Sequence, residues 1–134
     1  MKFLLAAFLV GHAFVHVSYL SPAPPRTADG PEWPFEMARS WSATRFGVDP
    51  AVVRSVGTAL VIATVATLIA AGLATVGWIV PTAWWRPLAV GVAIASTVTL
   101  TMFFHPWIVF GLVIDAVLIG ATLVIGWSPT AASP

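Results

Sequence analysis

Hydrophobic residues fill four long stretches of the sequence, and short breaks that are polar or contain proline separate them. Each stretch has about the 20 residues that an α-helix needs to cross the hydrocarbon core of a bilayer. Where lipid surrounds the chain, backbone N–H and C=O groups must be paired within the segment, so each stretch predicts a helix. The predicted helices cover about residues 3–20, 52–80, 84–104 and 107–127.

The breaks predict how these helices are connected. The segment 21–25 contains three prolines and ends the first stretch, Pro81 ends the second, and His105-Pro106 separates the third from the fourth. Proline removes a backbone donor and ends or kinks a helix. Because the last two connections are short, the second, third and fourth helices should be antiparallel neighbours. The sequence therefore predicts an all-α protein, a four-helix transmembrane bundle that forms one domain over residues 1–134.

Residues 21–51 form a polar loop that is rich in Trp and Pro, between the first and second helices. Its charged residues are Arg26, Asp29, Glu32, Glu36, Arg39, Arg45 and Asp49. It also holds four large aromatic residues: Trp33, Phe35, Trp41 and Phe46. We interpret this loop as an extramembrane cap, either with a short amphipathic helix that lies on the bilayer or as an irregular loop. Asp49-Pro50 is typical of the start of a helix.

Composition supports lipid as the main solvent of the chain. Of the 134 residues, 59% are hydrophobic and only 8% are charged, with a mean hydropathy of +0.95, whereas soluble domains have about 25% charged residues. The absence of cysteine excludes disulfides and thiolate metal sites. A net charge of +1 offers no electrostatic footprint for nucleic acid. We therefore expect a lipid bilayer, and no nucleic acid, as partner.

Away from the ends of the predicted spans, in the lipid zone, three ionisable residues remain: His12, His16 and Asp115. With a rise of about 1.5 Å per residue, His12, Ser96 and Asp115 each lie roughly 12 Å below the membrane face that carries the loop. His16 is one turn above His12 on the same helix face. A charge in the hydrocarbon costs roughly 3 kcal/mol on insertion scales, so Asp115 should turn inward and be neutralised by the histidines.

The sequence thus predicts an internal polar cluster that opens toward the loop. Its members are His12, His16, Ser96 and Asp115, with Thr58 as an optional member. Further hydroxyls on the third helix should continue a polar path toward the loop: Thr97, Thr99 and Thr101. His105 should lie near the mouth of this path.

Four interpretations of the cluster are open. The first is structural, with hydrogen bonds that hold the helices together. The second is a divalent metal site formed by His12, His16 and Asp115, a set of two histidines and one carboxylate. The third is a cofactor site, either for haem between His105 and one of the other histidines or for a quinone that bonds to His and Asp. The fourth is proton or ion movement along the His–Asp pair.

Three short motifs resemble a family of small bacterial membrane proteins that are loosely DoxX-like. His12-x-x-x-His16 is similar to an N-terminal HGxIH signature, "WWRPLAVGVAIAST" resembles the third helix of that family, and "FGLVID", which ends at Asp115, resembles its fourth. The chain departs from the family at Gly11, which precedes the first histidine, and at residues 105–107, where the family has an acidic and lysine-containing segment. The resemblance implies four helices in a bacterial inner membrane and, by analogy with DoxX relatives, association with quinone-linked oxidoreductase complexes.

These observations favour a non-catalytic function. We expect a small integral membrane subunit or accessory protein that binds a partner complex or a hydrophobic cofactor through the His/Asp/Ser cluster and the loop. A quinone- or metal-dependent oxidoreductase subunit is the alternative. Transport of protons, ions or small solutes is a weaker alternative, because one four-helix chain would need to form a homo-oligomer to hold a gated path.

Overall fold

The computed structural model describes residues 1–25, 30 and 32–129, and of Arg39 only the backbone. Arg26 and Asp29, two charged residues of the predicted cap, lie outside the described residues. The described chain contains helices and no strand, which confirms the all-α prediction. Its α-helices are α1 (Lys2–Val17), α2 (Trp41–Phe46), α3 (Pro50–Val76), α4 (Trp85–Met102) and α5 (Val109–Ile119).

Short 3₁₀ or π segments extend three of these helices to membrane-spanning length. Ser18–Leu20 continues α1, Thr82–Trp84 precedes α4, Pro106–Ile108 precedes α5, and the π-helix Gly120–Val124 continues it. With α3, they give four described helices that are long and apolar enough to cross a membrane. The predicted four-helix transmembrane bundle is confirmed, and the chain is an integral membrane protein.

The four long helices pack in an open series rather than a closed ring. α3 lies between α1 and α4, and α5 packs mainly against α4. Close approach of α1 to α3 requires a small residue at Gly72, where a Cβ atom would lie 3.3 Å from the carbonyl oxygen of Ala6. One apolar cluster forms near the face that carries the start of α1, around Leu68 and Trp85, and a second forms near the loop face, around Tyr19 and Phe103.

Local signals define both ends of α3. The Asp49 carboxylate accepts a hydrogen bond of 2.7 Å from the N–H of Ala51, which satisfies one of the free donors at the helix start. At the other end, Gly77 adopts a left-handed conformation with φ of 72°, and the N–H of Trp78 bonds back to Leu73. This glycine-terminated arrangement ends α3 at Val76 rather than near Val80, where the apolar run ends.

The loop cap packs against the end of α4 and contains the short helix α2. The sequence allowed either a short helix or an irregular loop here. The hydroxyl of Ser40, just before α2, donates a hydrogen bond of 2.8 Å to the carbonyl of Met102. The indole N–H of Trp41 donates to the carbonyl of Thr101. The last carbonyls of a helix have no partner within it, so these two contacts satisfy the end of α4. Phe35 and Met37 then anchor the cap in the loop-side apolar cluster.

Candidate functional site

One face of α1 and its 3₁₀ extension carries three polar aromatic rings. His12, His16 and Tyr19 are spaced at i, i+4 and i+7, which places them on one side of a helix. The centroids of the two imidazoles are 5.0 Å apart in an edge-on arrangement, and those of His16 and Tyr19 are 6.4 Å apart. The rings therefore form a continuous polar stripe from inside the membrane span to the cap, where Phe35 meets Tyr19 edge-on.

This stripe borders a groove between α1 and α5. The groove has a volume of about 220 Å³ and exists because α5 packs mainly on α4 and leaves this side of α1 open. Residues from the stripe, α4 and the start of α5 line it, together with the cap residue Phe35. Besides the stripe, they are Val15, Leu100, Trp107, Ile108, Phe110, Gly111 and Ile114. Its walls are mainly apolar, and its histidine and tyrosine side chains come from the stripe.

Each side chain of the stripe carries a buried polar atom with no hydrogen-bond partner among the described residues. The atoms are Nε2 of His12, Nδ1 of His16 and the hydroxyl of Tyr19. Most buried polar groups in proteins are paired, and an unpaired one costs about 1–3 kcal/mol. Three such atoms beside one groove are typical of a site whose partner comes from outside the chain.

The side chain of Asp115 faces the interior of the bundle, as expected from the free-energy cost of placing a charge in lipid. Only 3% of its surface is exposed, and its Oδ2 accepts a hydrogen bond of 3.2 Å from the hydroxyl of Thr97. The side chain of Ser96 also lies near this carboxylate. The Ser96 hydroxyl in turn lies 3.3 Å from Nε2 of His16. The structure therefore groups His16, Ser96 and Asp115 in one buried polar cluster.

The sequence predicted that the imidazoles contact Asp115 directly and neutralise it. This direct contact is not formed. α5 packs on α4, so the adjacent hydroxyls of α4 reach the carboxylate and Ser96 lies between it and His16. Within the described ranges, no group of three His, Asp or Glu side chains is arranged to hold a metal ion. His12, His16 and Asp115 therefore do not form the predicted three-ligand metal site.

His105 does not line the groove. It precedes the 3₁₀ turn Pro106–Ile108, and its Nδ1 accepts a hydrogen bond of 3.2 Å from the N–H of Trp107. The imidazole thus caps a turn at the loop face. Haem ligation that pairs His105 with a histidine of α1 has no support from this geometry.

Thr58, the optional member of the cluster, lies elsewhere, and so do two hydroxyls of the predicted polar path. Thr58 lines a separate cavity of about 460 Å³ at the loop face, together with Arg54 and Tyr19. Thr99 donates within its own helix to the carbonyl of Ala95 at 2.8 Å, and Thr101 is exposed. The hydroxyls of α4 therefore do not form the continuous polar path that the sequence suggested.

Tyr19 is the site residue that sequence reasoning missed. It is 3% exposed and lines both the groove and the loop-face cavity. Its spacing from His12 and His16 was the available signal, because the three positions share one helix face.

The stripe can recognise a molecule that offers both hydrogen-bond acceptors and donors. A neutral imidazole has one donor and one acceptor nitrogen, and a tyrosine hydroxyl can do either. Carbonyl or hydroxyl oxygens on a flat, apolar molecule suit such a set.

Comparisons with known proteins add no family assignment to this geometry. No family model matches the chain, and no curated protein or solved structure matches it. The chemistry of the site is therefore argued from its own residues.

Proposed function

We propose that this protein is a small integral membrane subunit or accessory protein that binds a lipophilic molecule of the quinone class in the groove between α1 and α5. The observation that carries the proposal is the set of three unpaired polar atoms, on His12, His16 and Tyr19, beside this otherwise apolar groove. A quinone has carbonyl oxygens that accept hydrogen bonds and a hydrocarbon tail that prefers lipid. The carbonyl oxygens match the polar atoms of the stripe, and the tail matches the apolar walls of the groove.

Access from the bilayer supports the same ligand class. Trp107 and Phe110, on the α5 side of the groove, are each 75% exposed, so the groove lies next to the lipid-facing surface. A tail could remain among the lipid chains while the head group reaches the stripe. The bound molecule would then need no aqueous route.

The sequence resemblance to DoxX-like proteins supports a quinone as the ligand class and a bacterial membrane as the location, by analogy only. Relatives of that family are associated with quinone-linked oxidoreductase complexes in bacteria. We accordingly propose the bacterial inner membrane as the location. Membership of a larger complex, a direct role in an oxidoreductase reaction and transport by an oligomer stay predictions.

The test compares two ligands that differ in the head group. Purified protein in detergent is titrated with a decyl-substituted benzoquinone and with decylbenzene, which has the tail but no carbonyl, and thermal unfolding is followed. We expect the quinone alone to raise the unfolding temperature. His12→Leu and Tyr19→Phe should each weaken quinone binding by roughly tenfold, the value of one hydrogen bond to a buried group.

His105→Gln is the matched control, because it alters a histidine outside the groove and should leave quinone binding unchanged. Equal stabilisation by decylbenzene would show that the groove recognises only hydrocarbon. Retention of full quinone affinity in both groove variants would likewise overturn the proposal.

A further inference from the structure

A second cavity lies at the opposite membrane face, between the start of α4 and the chain that follows the last span. Its volume is about 310 Å³. The α4 side contributes Trp85 and Arg86, and the distal side contributes Trp127. The remaining lining residues are Thr82, Ala83, Gly126 and Ser128. This cavity is remote from the His stripe, because the antiparallel course of the helices separates the two membrane faces.

Trp85 supplies an unused donor to this cavity. The residue is only 1% exposed, and its indole N–H has no hydrogen-bond partner among the described residues. The ring packs edge-on against Trp127, with centroids 5.8 Å apart and planes at 80°. Since an indole nitrogen can only donate, the group that completes this site must be an acceptor.

Arg86 supplies a positive charge at the same cavity and is exposed. The described acidic residues lie elsewhere: Glu32, Glu36 and Asp49 belong to the loop face, and Asp115 is inside the bundle. None of these carboxylates is at this face to neutralise the guanidinium. An acceptor that is also an anion would satisfy both Trp85 and Arg86.

We propose that this cavity binds the phosphate of a phospholipid head group. A guanidinium can form paired hydrogen bonds to phosphate oxygens, and the indole N–H can donate one more. The position favours a lipid source, because Trp85 and Trp127 lie at the end of membrane spans, where phospholipid phosphates are concentrated. The hydroxyls of Thr82 and Ser128 line the same cavity and extend its polar surface.

The test uses thermal unfolding of the detergent-solubilised protein with three additives: phosphatidylglycerol, a diacylglycerol with the same acyl chains, and glycerophosphoglycerol, the head group without chains. We expect stabilisation by phosphatidylglycerol alone. Arg86→Gln should weaken this binding by roughly tenfold, and Trp85→Phe, which keeps a ring but removes the N–H, by roughly threefold. Arg45→Gln removes the same charge from exposed α2 at the other membrane face and should have no effect.

Two results would overturn the proposal. Stabilisation by diacylglycerol as large as that by phosphatidylglycerol would show that the phosphate is not recognised, whereas equal stabilisation by glycerophosphoglycerol would assign the site to soluble phosphate esters. Should Arg86→Gln fail to fold, Trp85→Phe decides, since an unchanged lipid affinity in that variant contradicts the assigned donor.

Discussion

The Nε2 atom of His16 lies 3.3 Å from the hydroxyl of Ser96, which joins the first and third membrane spans through a buried polar contact. The two residues are 2% and 1% exposed. Ser96 also lies near Asp115, so one hydroxyl is placed between a histidine of α1 and a carboxylate of α5. The stability of the bundle and the orientation of the groove histidine therefore depend on the same residue.

Ser96→Ala should destabilise the bundle, because it leaves Nε2 of His16 without a partner and removes a polar group beside Asp115. The expected loss in the free energy of unfolding is about 1–2 kcal/mol, toward the upper end for interhelical hydrogen bonds in membranes. Denaturant titration in mixed micelles measures it. Ser55→Ala, which alters an exposed serine on α3, should change the free energy much less. Equal losses in the two variants would contradict a specific role for Ser96.

Asp115→Asn should retain the stability of the natural protein within about 1 kcal/mol. The amide oxygen can still accept from Thr97, while the cost of a charge inside the membrane disappears. Asp115→Val should lose about 1–3 kcal/mol, because it provides no acceptor for the hydroxyls of α4. Thermal unfolding of both variants separates the contribution of the charge from that of the hydrogen bonds. If Asn were as harmful as Val, the charge itself would be required.

Trp41→Phe should loosen the cap, because the indole N–H that bonds to the carbonyl of Thr101 at the end of α4 is lost. We expect faster amide hydrogen exchange in α2 and faster tryptic cleavage after Arg45, with the four spans unchanged. Trp78→Phe is the control, since this tryptophan is 70% exposed at the other membrane face. Unchanged exchange in α2 of the Trp41 variant would show that the bond does not hold the cap.

Gly57→Ala and Gly91→Ala should have opposite effects, although both place alanine in a membrane-spanning helix. A Cβ atom at Gly57 would lie 2.5 Å from the ring of Phe103 and 2.8 Å from the sulfur of Met37, whereas one at Gly91 has no atom within 4 Å. We expect a loss of about 1–3 kcal/mol at Gly57 from overpacking. At Gly91 we expect a gain of up to about 1 kcal/mol from helix propensity. Unfolding measurements on both variants test this, and a neutral Gly57→Ala would contradict the close contact with the cap.

The sequence determined the spans and their breaks, because hydropathy, chain length and proline act locally and lipid leaves the backbone few alternatives. It also indicated that Asp115 faces the interior of the bundle. The free-energy cost of placing an acid in lipid is the same whichever helix packs beside it, so this prediction did not require the helix arrangement. The start of α3 could be predicted from Asp49-Pro50, because a capping side chain and a proline at the first helical position act within adjacent residues.

Only the tertiary structure decided which groups meet. The order α1–α3–α4–α5 leaves a groove beside α1, and the rotation of α4 brings Ser96 between His16 and Asp115 instead of a direct pair. The same geometry buries Tyr19 in the site and places His105 where it caps a turn. Helix order and rotation result from side-chain packing summed over several helices, and a periodic pattern in one helix does not contain that information.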